Sequence, residues 1–174
     1  MRYAMLGLLL LGCGVRPVAH FTPLIDAARD GDAATVRSLL AQGADPNEPA
    51  GNNNWTPLLH AIHKHQTASV QALLAGGADA NRFAGDGETP LMMAAGYGYT
   101  DIIELLLKNG ADARVADSEG FHAIDLAAAG VPDIDRFTLF QCHDDAIAAL
   151  RAAAPSVQLN SKVARWARAK GCKL

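Results

Sequence analysis

The sequence predicts an all-α solenoid of stacked helix–turn–helix units, because three short signals recur in step. Thr22-Pro23-Leu24 returns as Thr56-Pro57-Leu58 and Thr89-Pro90-Leu91. Leu39-Leu40 returns as Leu73-Leu74 and Leu106-Leu107, and Gly43-Ala44-Asp45 returns as Gly77-Ala78-Asp79 and Gly110-Ala111-Asp112. In every series the steps are 34 and then 33 residues. Unrelated signals that share one stride mark an internal repeat, and periods in this range belong to architectures that bury a core only by stacking. Composition agrees. Of 174 residues, 50% are hydrophobic but only 6% aromatic; a core rich in Ala and Leu suits short, closely packed helices.

The amino terminus differs in character from the repeating units. Met1-Arg2-Tyr3 carries one positive charge, and Ala4 to Leu11 is wholly apolar. Eight residues are too few to span a bilayer, which takes about 20, but they suit the core of an export signal. Leu10-Leu11-Gly12-Cys13 resembles the lipobox of bacterial lipoproteins, in which the cysteine is lipidated and becomes the new terminus. The expectation is a lipoprotein-type signal at 1–12 and a mature chain beginning at Cys13. The competing readings are a conventionally cleaved export signal and a terminus in which Leu6 to Leu11 simply cover the first repeat.

Within each unit the signals have mechanical roles. A threonine caps a helix through its hydroxyl, and proline fits the first helical position, where no hydrogen bond is lost. A second helix comes next, with Val36, Leu39 and Leu40 at i, i+3 and i+4, a pattern repeated by Val70, Leu73 and Leu74 and by Ile103, Leu106 and Leu107; such residues share one face. Gly43, Gly77 and Gly110 end those helices in the left-handed conformation. Gly-rich stretches such as Ala84-Gly85-Asp86-Gly87 read as turns. In a fourth unit, His122-Ala123-Ile124 stands in place of Thr-Pro-Leu. Ile147 and Leu150 match Ile103 and Leu106 at a spacing of 44 rather than 33, which implies an insertion of 11 residues near 131–141 carrying Phe137, Leu139 and Phe140. Ala154-Pro155 closes its second helix. The tail reads as one more helix, capped by Asn160-Ser161 and stopped by Gly171, with Val163, Trp166 and Ala167 on one face as a lid and a basic outer side.

These units resemble ankyrin repeats, most clearly from Gly87-Glu88-Thr89-Pro90-Leu91 through Ala94-Ala95 and Ile102 to Leu107 to Gly110-Ala111-Asp112. The resemblance covers about residues 20–154. It implies an ankyrin-repeat solenoid with β-hairpin loops, organised as 13–155 in about four repeats (20–54, 55–87, 88–120 and 121–155), with a degenerate final repeat and a capping helix and tail at 156–174. The family often places His directly after Thr-Pro-Leu to link neighbouring repeats. Here that place holds Ile25, Leu59 and Met92, so apolar contact is expected to replace the polar link.

No nucleophile elbow, phosphate-cradling loop or Cys-x-x-Cys pair is present, so no catalytic residue, cofactor or metal is expected. A net charge of −3 without a basic run argues against nucleic acid. His60, His63 and His65 form the one suggestive cluster, but two imidazoles on one face without a carboxylate or thiolate make a poor zinc set; a satisfied core histidine is the expectation for His60. Two cysteines remain, Cys142 and Cys172. An exported chain meets an oxidising compartment in which they can pair, and the sequence leaves open whether they are bonded or are two free thiols.

What the resemblance implies about function is binding of another protein through hairpin tips and first helices. By position these are Asn52, Asn53, Trp55, His63, Lys64 and Phe83 from the second unit, Asp86, Glu88 and Tyr97 from the third, and Ser118, Glu119 and Phe121 from the fourth. Four of the chain's ten aromatics are in that set, and aromatics on one face are the usual anchors of an interface; the alternative is that they pack within the fold. The full expectation is a monomeric, non-enzymatic, lipid-anchored protein of the periplasm or cell envelope, with an envelope tether or an inhibitor or immunity-type partner of an enzyme as alternatives.

Overall fold

Each repeat begins where a threonine hydroxyl closes the first turn of a helix. The Oγ1 atoms of Thr22, Thr56 and Thr89 accept from the amides of Ile25, Leu59 and Met92 at 3.3, 3.4 and 3.2 Å. With proline next in line, these caps start α1 (Pro23–Asp30), α3 (Pro57–His63) and α5 (Pro90–Tyr97). Their partners are α2 (Ala33–Ala41), α4 (Thr67–Ala75) and α6 (Thr100–Lys108). The computed structural model describes residues 21–51, 53–85, 87–129 and 141–174. The expected signal segment with Cys13, most of the expected insertion, Asn52 and Asp86 lie outside the described residues.

The fourth pair is α7 (Ala123–Ala129) and α8 (Asp144–Ala153), and the tail forms α9 (Ser161–Lys170). Two layers result. The first helices α1, α3, α5 and α7 pack in sequence with α9 stacked on α7, while α2, α4, α6 and α8 form the second row. Ile25, Leu59, Met92, Ile102, Ile103 and Leu106 are fully enclosed between the rows. Gly110, just past α6, has φ +86, a conformation in which a side chain would be strained. The loops between units approach hairpins but, among the described residues, form only isolated bridges, Ala50 to Trp55 and Ala116 to His122, and no strands. Trp166, expected at the centre of the lid, is only half-buried; Ala167 and Val163 do the covering.

Cys142 and Cys172 are joined in a disulfide across a Cα separation of 5.6 Å. That resolves what the sequence left open, and it ties the entry to α8 to the turn that follows α9.

Polar links between units exist after all, and two of them lie where the apolar Ile25, Leu59 and Met92 do not reveal them. Asn47 donates to the Gly77 carbonyl (3.1 Å) and accepts from the Asp79 amide (2.8 Å). One unit later, Asn81 donates to the Gly110 carbonyl (2.9 Å) and accepts from the Asp112 amide (2.8 Å). A primary amide offers both a donor and an acceptor, so one side chain satisfies two backbone groups of the next loop. In the third unit the place belongs to Arg114, which turns back on Asp112 at 2.8 and 2.9 Å; the ladder ends there. The second link is Asp125, at the position of Ile25, Leu59 and Met92 and wholly buried. It accepts from the His122 amide at 2.9 Å and from the Asn160 amide at 2.7 Å, joining the last repeat to the capping helix.

Candidate functional site

The first helices and the residues that flank them carry a continuous array of rings. Trp55 immediately precedes the Thr56 cap and its ring meets that of His60 at 5.4 Å, the N′-to-N4 contact that fixes how a chain enters a helix. His60 and His63, three residues apart, share the face toward Trp55, with His63 at 5.2 Å from it. Phe21, before the Thr22 cap, meets His60 edge-on at 5.0 Å. His63 Nδ1 lies 3.0 Å from the Tyr97 hydroxyl, and Tyr97 stacks on Tyr99 at 5.3 Å. Tyr99 in turn stacks almost parallel on His65 at 3.8 Å. The array thus crosses three units.

His65 closes the far end. It adopts φ +56, unusual for a side-chain-bearing residue, where the equivalent places in the first and third units hold Gly31 and Gly98. Stacking on Tyr99 holds it there, as does Asp101, whose carboxylate lies 3.2 Å from His65 Nε2 and accepts from the Thr67 hydroxyl at 2.6 Å. Burial works to raise the Asp101 carboxyl, but the hydrogen bonds from Thr67 and His65 outweigh it and hold the group below its ordinary value. At Gly98 a side chain would meet a further obstacle: a Cβ there would run into the His143 imidazole, which would have to move.

At the other end of the array, a cleft of about 320 Å³ opens between the first and second units. Phe21, Trp55, His60 and His63 form much of its wall, with Arg29 and Lys64 at the sides. The Arg29 guanidinium lies over the Phe21 ring, 4.6 Å from its centroid. No described residue lining the cleft is acidic. His60 is 7% exposed and its Nε2 has no hydrogen-bond partner among the described residues. The expectation of a satisfied core histidine is therefore corrected: the ring is buried, but its Nε2 finds no hydrogen-bond partner among the described residues.

Burial, and next to it the charge of Arg29, pushes the His60 imidazole down to about 4 from 6.5. The folded chain therefore resists a proton that the unfolded chain binds below pH 6.5, so stability falls as pH drops through the window from 6.5 to 4. Because the cleft admits some solvent to the ring, the loss is discounted to about 2 kcal/mol. Urea unfolding at pH 7 and pH 4.5 is expected to show that loss in the native chain and a smaller one in His60→Phe; equal losses in both would overturn the assignment.

Of the residues expected to bind, Asn53, Trp55, His63, Lys64 and Tyr97 are brought together along the cleft and ring array. Phe83 stands apart and 51% exposed. Phe121 is half-buried against the core, and Ser118 and Glu119 are exposed at the next loop. Glu88 is half-buried beside the Thr89 cap. Phe21, Arg29, His60 and Tyr99 were not expected at the site. One signal pointed to the first of them: Phe21 holds the same place before its threonine as Trp55 does before Thr56.

Two family models match the chain. One, described as Ankyrin repeats (3 copies), matches residues 2–84; the other, Ankyrin repeats (many copies), matches 73–127. Together they run from residue 2 to residue 127, over the first three helix pairs and their caps and into α7. The chain is an ankyrin-repeat protein. No curated protein matches it. Ankyrin repeats are protein–protein interaction modules, generally without catalytic activity, and the ring array lies on and beside the first helices of this one. Among its described residues no helix is long and apolar enough to cross a membrane.

Proposed function

We propose that this ankyrin-repeat protein is a lipid-anchored component of a bacterial cell envelope that docks a protein partner along its first helices. The observation that carries the docking is the ring array from Phe21 to Tyr99, which gathers large amphipathic side chains on one side of the stack. Aromatics with polar tips contribute area at low entropic cost and dominate interface energetics. Two features support the location. Leu10-Leu11-Gly12-Cys13 has the lipobox pattern, with Cys13 as the lipidated residue. The Cys142–Cys172 bridge belongs to an oxidising compartment such as the periplasm. The three-copy family match begins at residue 2, so the competing reading of the leader as part of a first repeat is tested directly: a fatty-acid probe is expected to label the native chain and not Cys13→Ser, and an unlabelled native chain removes the anchor.

For the docking itself, Trp55→Ala combined with Tyr97→Ala is expected to weaken capture of the crosslinked native partner by at least about tenfold, the scale of one hot-spot residue. Far-ultraviolet circular dichroism should show the helices retained. A folded double variant that captures its partner at full strength would refute docking along the array.

A further inference from the structure

We propose that the cleft between the first two units is an anchor pocket for an acidic side chain of the docked partner, its carboxylate held between Arg29 and Lys64 and the neighbouring backbone amide accepted by His60 Nε2. This rests on the docking reading above and names the chemistry of the partner.

Charge complementarity carries the choice of occupant. Arg29 and Lys64 flank the opening, and neither is in an ion pair with a carboxylate of the described residues. The chain as a whole is acidic at −3, yet none of the described residues lining this cleft is acidic. Arg29 is also held in position by the Phe21 ring beneath it, so little freedom is lost when it takes a ligand. The Phe21 ring packs close over Gly51, where a Cβ would approach it to 3.2 Å.

His60 supplies the second half of the recognition. Burial keeps the ring neutral at physiological pH, and one of its nitrogens is hydrogen-bonded to the Ala50 backbone. A neutral imidazole that donates from one nitrogen presents the other as an acceptor. Nε2 is that atom, buried and unpartnered. A buried polar atom left unsatisfied costs stability; a peptide amide next to the captured carboxylate would satisfy it. The volume, about 320 Å³, is at the small end of ligand sites and suits one side chain with its backbone.

The test uses the full chain and a defined probe. The blocked tripeptide acetyl-Leu-Glu-Phe-amide is titrated while the imidazole signals of His60 and His122 are followed by nuclear magnetic resonance. The expected result is a saturable shift at His60 and none at His122. The Gln counterpart should bind about tenfold more weakly, in keeping with loss of a charge-assisted pair. Arg29→Gln and Lys64→Gln should each weaken binding about threefold, and added salt should weaken it further. His60→Phe, which retains the ring packing and removes the unsatisfied atom, should bind more weakly while being at least as stable at pH 7. Equal binding of the Glu and Gln peptides, or binding unchanged by the Arg29 and Lys64 substitutions, overturns the proposal. So does free acetate binding as tightly as the peptide, which would mark a small-anion site. The two readings fail separately. A partner lost by the Trp55 and Tyr97 changes but kept by Arg29→Gln with Lys64→Gln ends the pocket and leaves docking intact. A partner kept by all four substitutions ends the docking reading, and the peptide titration still decides the pocket.

Discussion

Replacing Cys142 with Ser, or adding a reductant to the native chain, is expected to lower the unfolding free energy by about 3–4 kcal/mol. The bridge closes a separation of 30 residues, and the loop-closure entropy removed from an unfolded chain of that length is worth about that much. The loss should not be spread evenly. The bridge joins the entry to α8 with the end of α9, where the Lys173 amide also donates to Asp144 at 3.1 Å. Without it, α9 is held by the Asp125–Asn160 bond at its start and by Val163, Ala167 and the half-buried Trp166, a small apolar face for ten residues of helix. Hydrogen exchange in α9 should therefore accelerate more than in α5, and urea midpoints with and without reductant should differ. Coincident midpoints and unchanged α9 exchange would show that the bridge adds nothing.

How much of this was readable from residues alone depended on whether the physics was local. Thr22, Thr56 and Thr89 act on amides three residues away, and Gly110 acts on its own backbone, so caps, helix pairs and stride were all legible. Asn47 and Asn81 were not, because their partners lie 29 to 32 residues away and nothing nearby distinguishes them from ordinary loop asparagines. Asp125 was hidden for a related reason. Its place in the repeat is filled by apolar residues three times over, and its second partner, Asn160, is reached only across the insertion. At the candidate site Trp55 and Tyr97 were legible as aromatics on first helices. Phe21 and Tyr99 join them through contacts between units, which a stride predicts only once each position is compared with its counterpart. The usual rule that buried polar groups are satisfied predicts a partnered His60, and the residue departs from that rule at a cleft flanked by Arg29 and Lys64, where local disagreement of this kind is expected to mark function.

Changing Asp125 to Ala is expected to cost about 3 kcal/mol, more than a surface carboxylate could. The side chain is fully buried, and both oxygens are used, on the His122 and Asn160 amides. Truncation would leave two part-buried backbone donors unpaired, each costing about 1–3 kcal/mol, offset in part by the water that reaches them. Asp125→Asn should fall between, because its amide keeps one acceptor but turns a donor toward the other N–H. The Asn160 amide should lose exchange protection in both. Since Asp125 and the disulfide hold the same helix from opposite ends, their effects should not add. Once reduction has let α9 open, the Asn160 amide no longer needs its partner, so Asp125→Ala should cost at least about 1 kcal/mol less in the Cys142→Ser background. Additivity to within about 0.5 kcal/mol, the level found for independent sites, would mean that the two ties guard separate structures and that α9 is not a lid on the last repeat.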